Sequence, residues 1–169
     1  MAYTLKMKLW RGDRSGGDLQ DYDVEVEGGE NPYTIQSDLQ QSMNDLVGII
    51  RVASELEASL AEIEAFKVRA KSMKVEGHRQ YNPGWHLAID LRNMLIVSEC
   101  IAKAALARQE SRGGHTRDDF PGPNAEWGTK NLVVNLNAEG TGVDLHEKPL
   151  PVMPDELKKY FETPTTESK

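Results

Sequence analysis

With 169 residues, 38% of them hydrophobic and 7% aromatic, the chain has room for one ordinary domain plus an appendage, around a modest aliphatic core. Its formal charge of −7 argues against a general binder of nucleic acid or anionic membrane, because phosphate attraction needs a basic surface. No apolar run approaches the ~20 residues that span a bilayer, and the one cysteine, Cys100, can build neither an internal disulfide nor a cysteine cluster for zinc or iron–sulfur.

Residues 3–10 alternate, with Tyr3, Leu5, Met7 and Leu9 on one side and Lys6 and Lys8 on the other, which is the period of a half-buried strand. This opening is strand-like and differs from the charged-then-apolar pattern of a signal peptide. Residues 11–18 read as a turn by their Gly, Asp and Ser content. Residues 19–27 alternate again, Tyr22, Val24 and Val26 opposing Asp21, Asp23, Glu25 and Glu27, so the first 27 residues predict a β-hairpin with one apolar face. A lone hairpin is marginal in water, so that face is expected to land on another element. The acidic run from Asp18 to Glu30 reads as a solvated strand face, or as a surface for a basic partner.

Gly28-Gly29 breaks the pattern. Asn31-Pro32 is a helix-start signal, and Ile35, Leu39, Met43, Leu46, Val47 and Ile50 follow at helical spacing. Ser54-Glu55-Leu56-Glu57 resembles a capping box, placing a second helix there with Leu56, Leu60, Ile63, Phe66 and Ala70 as its stripe. Residues 74–83 form a loop. From Trp85 the pattern is helical to about Glu110, where Gly113-Gly114 stops it. Residues 116–125 read as a loop. Residues 131–137 and 142–148 predict a second hairpin across Gly140-Thr141-Gly142, and Pro154-Asp155-Glu156 opens a short helix to about Phe161. The tail from Thr163 to Lys169 is polar and expected to be disordered.

The expected fold is therefore mainly α with β: a three-helix bundle of the spectrin-repeat kind over about 32–111, flanked by an N-terminal and a C-terminal β-hairpin. The expected units are 1–29, 30–125, 126–162 and a tail at 163–169. Packing of the two hairpins on each other is the simplest way to shelter both apolar rows.

Several segments stand in a telling order: Asn31-Pro-Tyr33, Leu46-Val-Gly-Ile-Ile-Arg51, Arg69-Ala-Lys71, Tyr81-Asn-Pro-Gly-Trp-His-Leu87, Leu91-Arg-Asn-Met-Leu95, Ala104-Ala-Leu-Ala-Arg108 and Glu110-Ser-Arg-Gly-Gly-His-Thr-Arg-Asp-Asp-Phe-Pro121, then Trp127 and Asn131-Leu-Val-Val134. Over about 30–161 the chain resembles the C-terminal helical domain of the succinate dehydrogenase and fumarate reductase flavoprotein family. Met7-Lys-Leu-Trp-Arg-Gly-Asp13, Ser15-Gly-Gly-Asp-Leu-Gln20 and Tyr22-Asp-Val-Glu-Val26 resemble instead the N-terminal β-hairpin of the iron–sulfur subunit of the same enzyme. The order of the two pieces and the change of character at Gly28-Gly29 suggest a recombined or designed chain.

The resemblance implies a parent that interconverts succinate and fumarate with FAD. The domains that bind FAD and carry the family's catalytic residues match nothing here, so no catalytic, cofactor-binding or metal residue is carried over and no cofactor is expected in this chain. There is no G-x-G-x-x-G at a strand-to-helix turn. The expected role is that of a non-catalytic structural and interface domain, with an interaction module built from two subunits as the alternative. The partners implied are the remaining flavoprotein domains and the iron–sulfur subunit, without nucleic acid or direct membrane insertion. The expected location is the cytoplasm, or the cytoplasmic face of the inner membrane through those subunits.

Arg112, His115 and Arg117 form the sharpest local cluster and are the candidate interface residues, since guanidinium groups suit docking contacts. The plainer reading is helix-end chemistry, cations near a C-terminus being worth ~0.3–1 kcal/mol each. A hydrolytic relay of Ser111 and His115 with Asp118 or Asp119 is a remote third reading, since triads depend on geometry that neighbours in a loop seldom reach. His78, His86 and His146 show no metal-binding spacing. Cys100 reads as a small buried apolar residue, and Trp85 and Trp127 as packing anchors.

Overall fold

The computed structural model describes residues 3–13, 15–26, 28–158 and 160. Among them the architecture is mixed α/β, with four helices and three two-stranded sheets. The predicted tail at 163–169 lies outside the described residues.

The N-terminal hairpin pairs β1 (Tyr3–Asp13) with β2 (Gly16–Val26), antiparallel from Tyr3↔Val26 to Asp13↔Gly16. The turn expected over 11–18 is far shorter. Gly12 faces Gly17 in the register, and a Cβ on Gly12 would come within 2.4 Å of the Gly17 Cα. These glycines permit a close approach of the strands rather than reversing the chain.

Helix α1 (Pro32–Leu46) starts where Asn31-Pro32 predicts, the Asn31 side chain accepting the Tyr33 N–H at 3.0 Å. It ends before Ile50, which belongs to a two-residue strand β3 (Ile50–Arg51) and is 60% exposed; the helical stripe stops at Val47. Helix α2 (Ala53–Ala70) begins ahead of the expected box at Ser54. Its N-cap position, Val52, offers no side-chain acceptor, and the Ala53 N–H is instead taken by the Asp119 carboxylate at 3.0 Å. The capping group thus arrives from 66 residues away, which no local signature reveals.

Helix α3 (Pro83–Ala107) is capped by Asn82, whose side chain accepts the Gly84 N–H at 3.0 Å. Gly84 is buried, and a Cβ there would stand 3.0 Å from Val75 Cγ1, so Asn-Pro-Gly-Trp combines a cap with a tight helix entry. The three long helices close around Ile35 and Leu39 of α1, Leu56, Ile63 and Phe66 of α2, and Leu91, Leu95, Ala102 and Ala105 of α3. Each fully buried aliphatic side chain contributes about 1.5–3 kcal/mol, so this shared core holds the helices together.

The segment read as a loop at 116–125 contains β4 (Thr116–Arg117), paired in parallel with β3 as Ile50↔Thr116 and Arg51↔Arg117. The second hairpin, β5 (Lys130–Leu136) and β6 (Val143–Pro149), forms as expected and rests on α3, with Val143 buried. A short helix α4 (Asp155–Lys158) follows. The expected packing of the two hairpins on each other is not found among the described residues. Among the described residues β1 and β2 share no sheet and no extensive contact with β5 and β6, because α3 already covers the inner side of the second hairpin. Trp10 and Leu19 remain more than half exposed.

Candidate functional site

The run from Glu110 to Phe120 folds back across the end of α3 and engages three helix termini. Arg117, only 1% exposed, sits at its centre. Its Nη1 donates to the carbonyls of Ala105 at 2.7 Å and Leu106 at 3.0 Å, filling acceptors that the last turn of α3 leaves free. Its Nε and Nη2 donate to the two Asp119 oxygens, each at 2.7 Å, as a bidentate pair. The Arg117 guanidinium beside Asp119 holds that carboxyl down at about 2. Asp119 in turn caps α2, so one ion pair joins the C-terminus of α3 to the N-terminus of α2.

His115 completes the link to α1. Its Nε2 lies 3.2 Å from the Arg108 carbonyl and its Nδ1 lies 3.0 Å from Arg51 Nη1. Those partners assign the proton to Nε2, which donates, while Nδ1 accepts from the guanidinium. Arg51 also donates through Nε to the Val47 carbonyl at 3.1 Å, closing the end of α1. Burial, together with the positive charge of Arg51, Arg117 and Arg108, pushes His115 below the usual histidine range.

Glu110 is a second hub, 1% exposed. It accepts from Arg112 Nε at 3.0 and 3.1 Å, from the Asn124 N–H at 2.8 Å and from Arg108. These donors, Arg112 foremost, hold its carboxyl at about 2. Arg112 also donates to the Asn124 carbonyl at 3.0 Å, yet its side chain stays 46% exposed.

The cluster read from the sequence is therefore real but divided. Arg117 and His115 face inward and perform helix-end chemistry, while Arg112 keeps a face to solvent. Ser111 does not join His115: its hydroxyl lies 3.1 Å and 3.0 Å from the carbonyls of Arg117 and Phe120 and accepts the Arg117 N–H at 2.8 Å. With both imidazole nitrogens engaged elsewhere, no nucleophile–base pair forms.

Sequence reasoning missed two elements of this network. Arg51 follows an apolar run whose helical spacing concealed its role, and Glu110 looked like the polar end of a helix. A third omission is Glu99 on α3, 2% exposed, flanked by Lys67 and Lys103 at 2.5 Å each. Its only sequence signal is a carboxylate whose i−4, i−3 and i+3 neighbours on α3, Leu95, Ile96 and Ala102, are apolar. Cys100 itself is half-buried, and Trp85 is 38% exposed beneath the Arg79 guanidinium rather than an interior anchor. His78, His86 and His146 belong to no metal-holding cluster among the described residues.

A family model described as the fumarate reductase flavoprotein C-terminus matches residues 36–161. The chain belongs to that family. It is 33% identical over 137 residues to the fumarate reductase flavoprotein subunit of Helicobacter pylori, covering 80% of this chain and 19% of the relative. A solved structure described as Mycobacterium smegmatis Sdh1 in complex with UQ1 superposes with a TM-score of 0.74 at 51% identity, covering 79% of this chain and 23% of that one. L-aspartate oxidase of Acinetobacter baylyi is 37% identical over 84 residues, half of this chain and 14% of the relative. The flavoprotein C-terminal chain thus spans about a fifth of the length of these relatives. The latch over 110–120 lies wholly inside the matched region, whereas β1 and β2 lie ahead of it. Among the described residues no helix is long and apolar enough to cross a membrane.

Proposed function

We propose that this chain is a non-catalytic structural and interface domain of a succinate dehydrogenase or fumarate reductase flavoprotein, which seats against the remaining flavoprotein domains and the iron–sulfur subunit. The observation that carries the reading is an apolar row on the outer side of α3: Ile89, Val97 and Ile101, spaced at multiples of four, are 53%, 55% and 44% exposed. Such a row on a three-helix domain of the spectrin-repeat kind, flanked by hairpins, suits a surface covered by the rest of a longer protein. Arg112, exposed past the end of α3 and anchored to Glu110, is the docking residue of the predicted three. His115 and Arg117 act on this interface by fixing the segment that presents Arg112.

A relative named for fumarate reduction matches most of this chain and one named for L-aspartate oxidation matches half of it, which supports a scaffold role separate from substrate choice. The residues described do not fit FAD. A dinucleotide cradle needs a parallel strand leading through a glycine-rich turn into a helix N-terminus, and the parallel pairing of β3 with β4 is two residues long, with Val52 and no glycine between β3 and α2. In the parent, the flavin and its chemistry would belong to other domains. By the same reading the location is the cytoplasm or, through the partner subunits, the cytoplasmic face of the inner membrane.

Co-expression tests the proposal. The chain is supplied with a flavoprotein lacking its own C-terminal domain and with the iron–sulfur subunit. Co-purification that weakens when Val97 and Ile101 are changed to Ser supports the interface role. Failure to associate, or a flavin absorbance band on the chain alone, sinks it. A second reading, an interaction module assembled from pieces of two subunits, draws support from β1 and β2, which lie ahead of the family match and pack on nothing extensive among the described residues.

A further inference from the structure

A pocket of about 360 Å³ opens between the end of α2, the middle of α3 and the turn of the second hairpin, well away from the latch. Its lining joins Lys67, Lys71 and Arg92 to Ala70, Leu95 and Ile96, with Gly140 and Thr141 at the rim. Among the described residues no carboxylate lines it, in a protein whose net charge is −7. Lys67 is already neutralised by Glu99 and Glu64. Lys71 and Arg92 have no ion pair among the described residues, although most other basic side chains on the helical core have one. Beneath them the floor is apolar, with Leu95 2% exposed and Ala70 buried. The turn above is rigid: the Asn137 side chain accepts the N–H groups of Thr141 at 2.9 Å and Gly142 at 3.2 Å, and Gly140 holds a φ of +69°.

We propose that this pocket is a binding site for a small amphiphilic monocarboxylate. The carboxylate is received by Arg92, whose planar fork matches two oxygens, and by the Lys71 ammonium, a compact second charge. The short hydrocarbon chain lies on Ala70, Leu95 and Ile96. A bare oxyanion would satisfy the cations and leave the floor wet, while a neutral amphiphile would cover the floor and leave the cations unmatched. The volume is within the range of small-ligand sites. This inference is independent of the interface reading, since the pocket lies apart from the Ile89, Val97 and Ile101 row in residue content.

Amide NMR spectra of the full chain, titrated with hexanoate, acetate, inorganic phosphate and hexanol, test it. Hexanoate is expected to shift the amides of Ile96, Gly140 and Thr141 saturably, with the other three probes weaker by about tenfold, the equivalent of one charge-assisted or apolar contact. Changing both Lys71→Gln and Arg92→Gln, at exposed positions whose helicity is checked by circular dichroism, is expected to weaken hexanoate by about tenfold or more; the single variants serve in place of the double one if helicity falls. The proposal is overturned by the absence of saturable shifts, by phosphate or hexanol binding as tightly as hexanoate, or by unchanged affinity in the folded variants.

Discussion

Arg117 shows how much a single side chain can connect. Its three nitrogens all donate, to the carbonyls at the end of α3 and to Asp119, with the ring of Phe120 at 5.0 Å. Replacing it with Met keeps much of the volume but strands Asp119, whose side chain is 28% exposed, and opens the helix carbonyls. Loss of charge-assisted hydrogen bonds of this kind costs about 1.5–3 kcal/mol, so the urea midpoint of Arg117→Met is expected to fall by that equivalent; a change under about 1 kcal/mol would remove Arg117 from the centre of the latch. His115 makes the latch sensitive to pH. Its folded value is lowered, so the unfolded chain binds the extra proton first; the stabilisation is complete above the ordinary histidine value of 6.5 and is lost as pH falls through the lowered one. Glu110 and Asp119, lowered from 4.5 and 3.8 to about 2, add stability above those ordinary values that is lost as pH falls toward 2. Stability measured against pH is therefore expected to fall in two stages on acidification. His115→Gln is expected to abolish the upper stage and keep the lower; a variant that retains both stages would assign the upper one elsewhere.

At the scale of elements, what could be read from the sequence was whatever is local. The N-cap Asn31, the α2 stripe and the second hairpin all rest on neighbours within a few residues, and each stands where its pattern places it, whereas Asn82-Pro83, read as part of a loop, caps and opens α3. What could not be read was set by partners distant in sequence. The cap of α2 comes from Asp119, the exit of α1 is fixed by Arg51 against His115, and β4 exists because β3 lies beside it. The candidate site was found as a cluster for the same reason it was misread in part: Arg112, His115 and Arg117 are adjacent in the chain, but only burial tells which face the interior. The first hairpin illustrates the opposite error. Its alternation predicted a partner, yet among the described residues its extensive contacts are with itself. Removing residues 1–27 is therefore expected to change the unfolding free energy of the remainder by less than about 0.5 kcal/mol. A larger loss in urea unfolding would show that β1 and β2 support the helices.

As a whole molecule the domain is a helical core tightened by two polar hubs at its ends. One is the latch around Arg117 and Glu110; the other is Arg69 at the end of α2, which reaches Glu30 at 2.7 Å and Asp38 at 2.8 Å and ties the entry of α1 to the exit of α2. With its ends fastened in this way, the core leaves the outer row of α3 as an unmet apolar feature, the arrangement expected of a part that completes a larger body.

The cap of α2 by Asp119 has a consequence for the order of assembly. The Ala53 N–H and the Asp118 N–H, which donates to the Arg51 carbonyl at 3.0 Å, both depend on contacts spanning more than sixty residues. Closing so long a loop is slow relative to winding a helix. In pulse-labelled refolding, the amides in the middle of α2 and α3 are expected to become protected first, with Ala53 and Asp118 gaining protection together and last. If Ala53 is protected as early as its own helix, the far carboxylate is not what closes it. The first turn of α2 would then behave as a clasp, fastened only after everything behind it is in place.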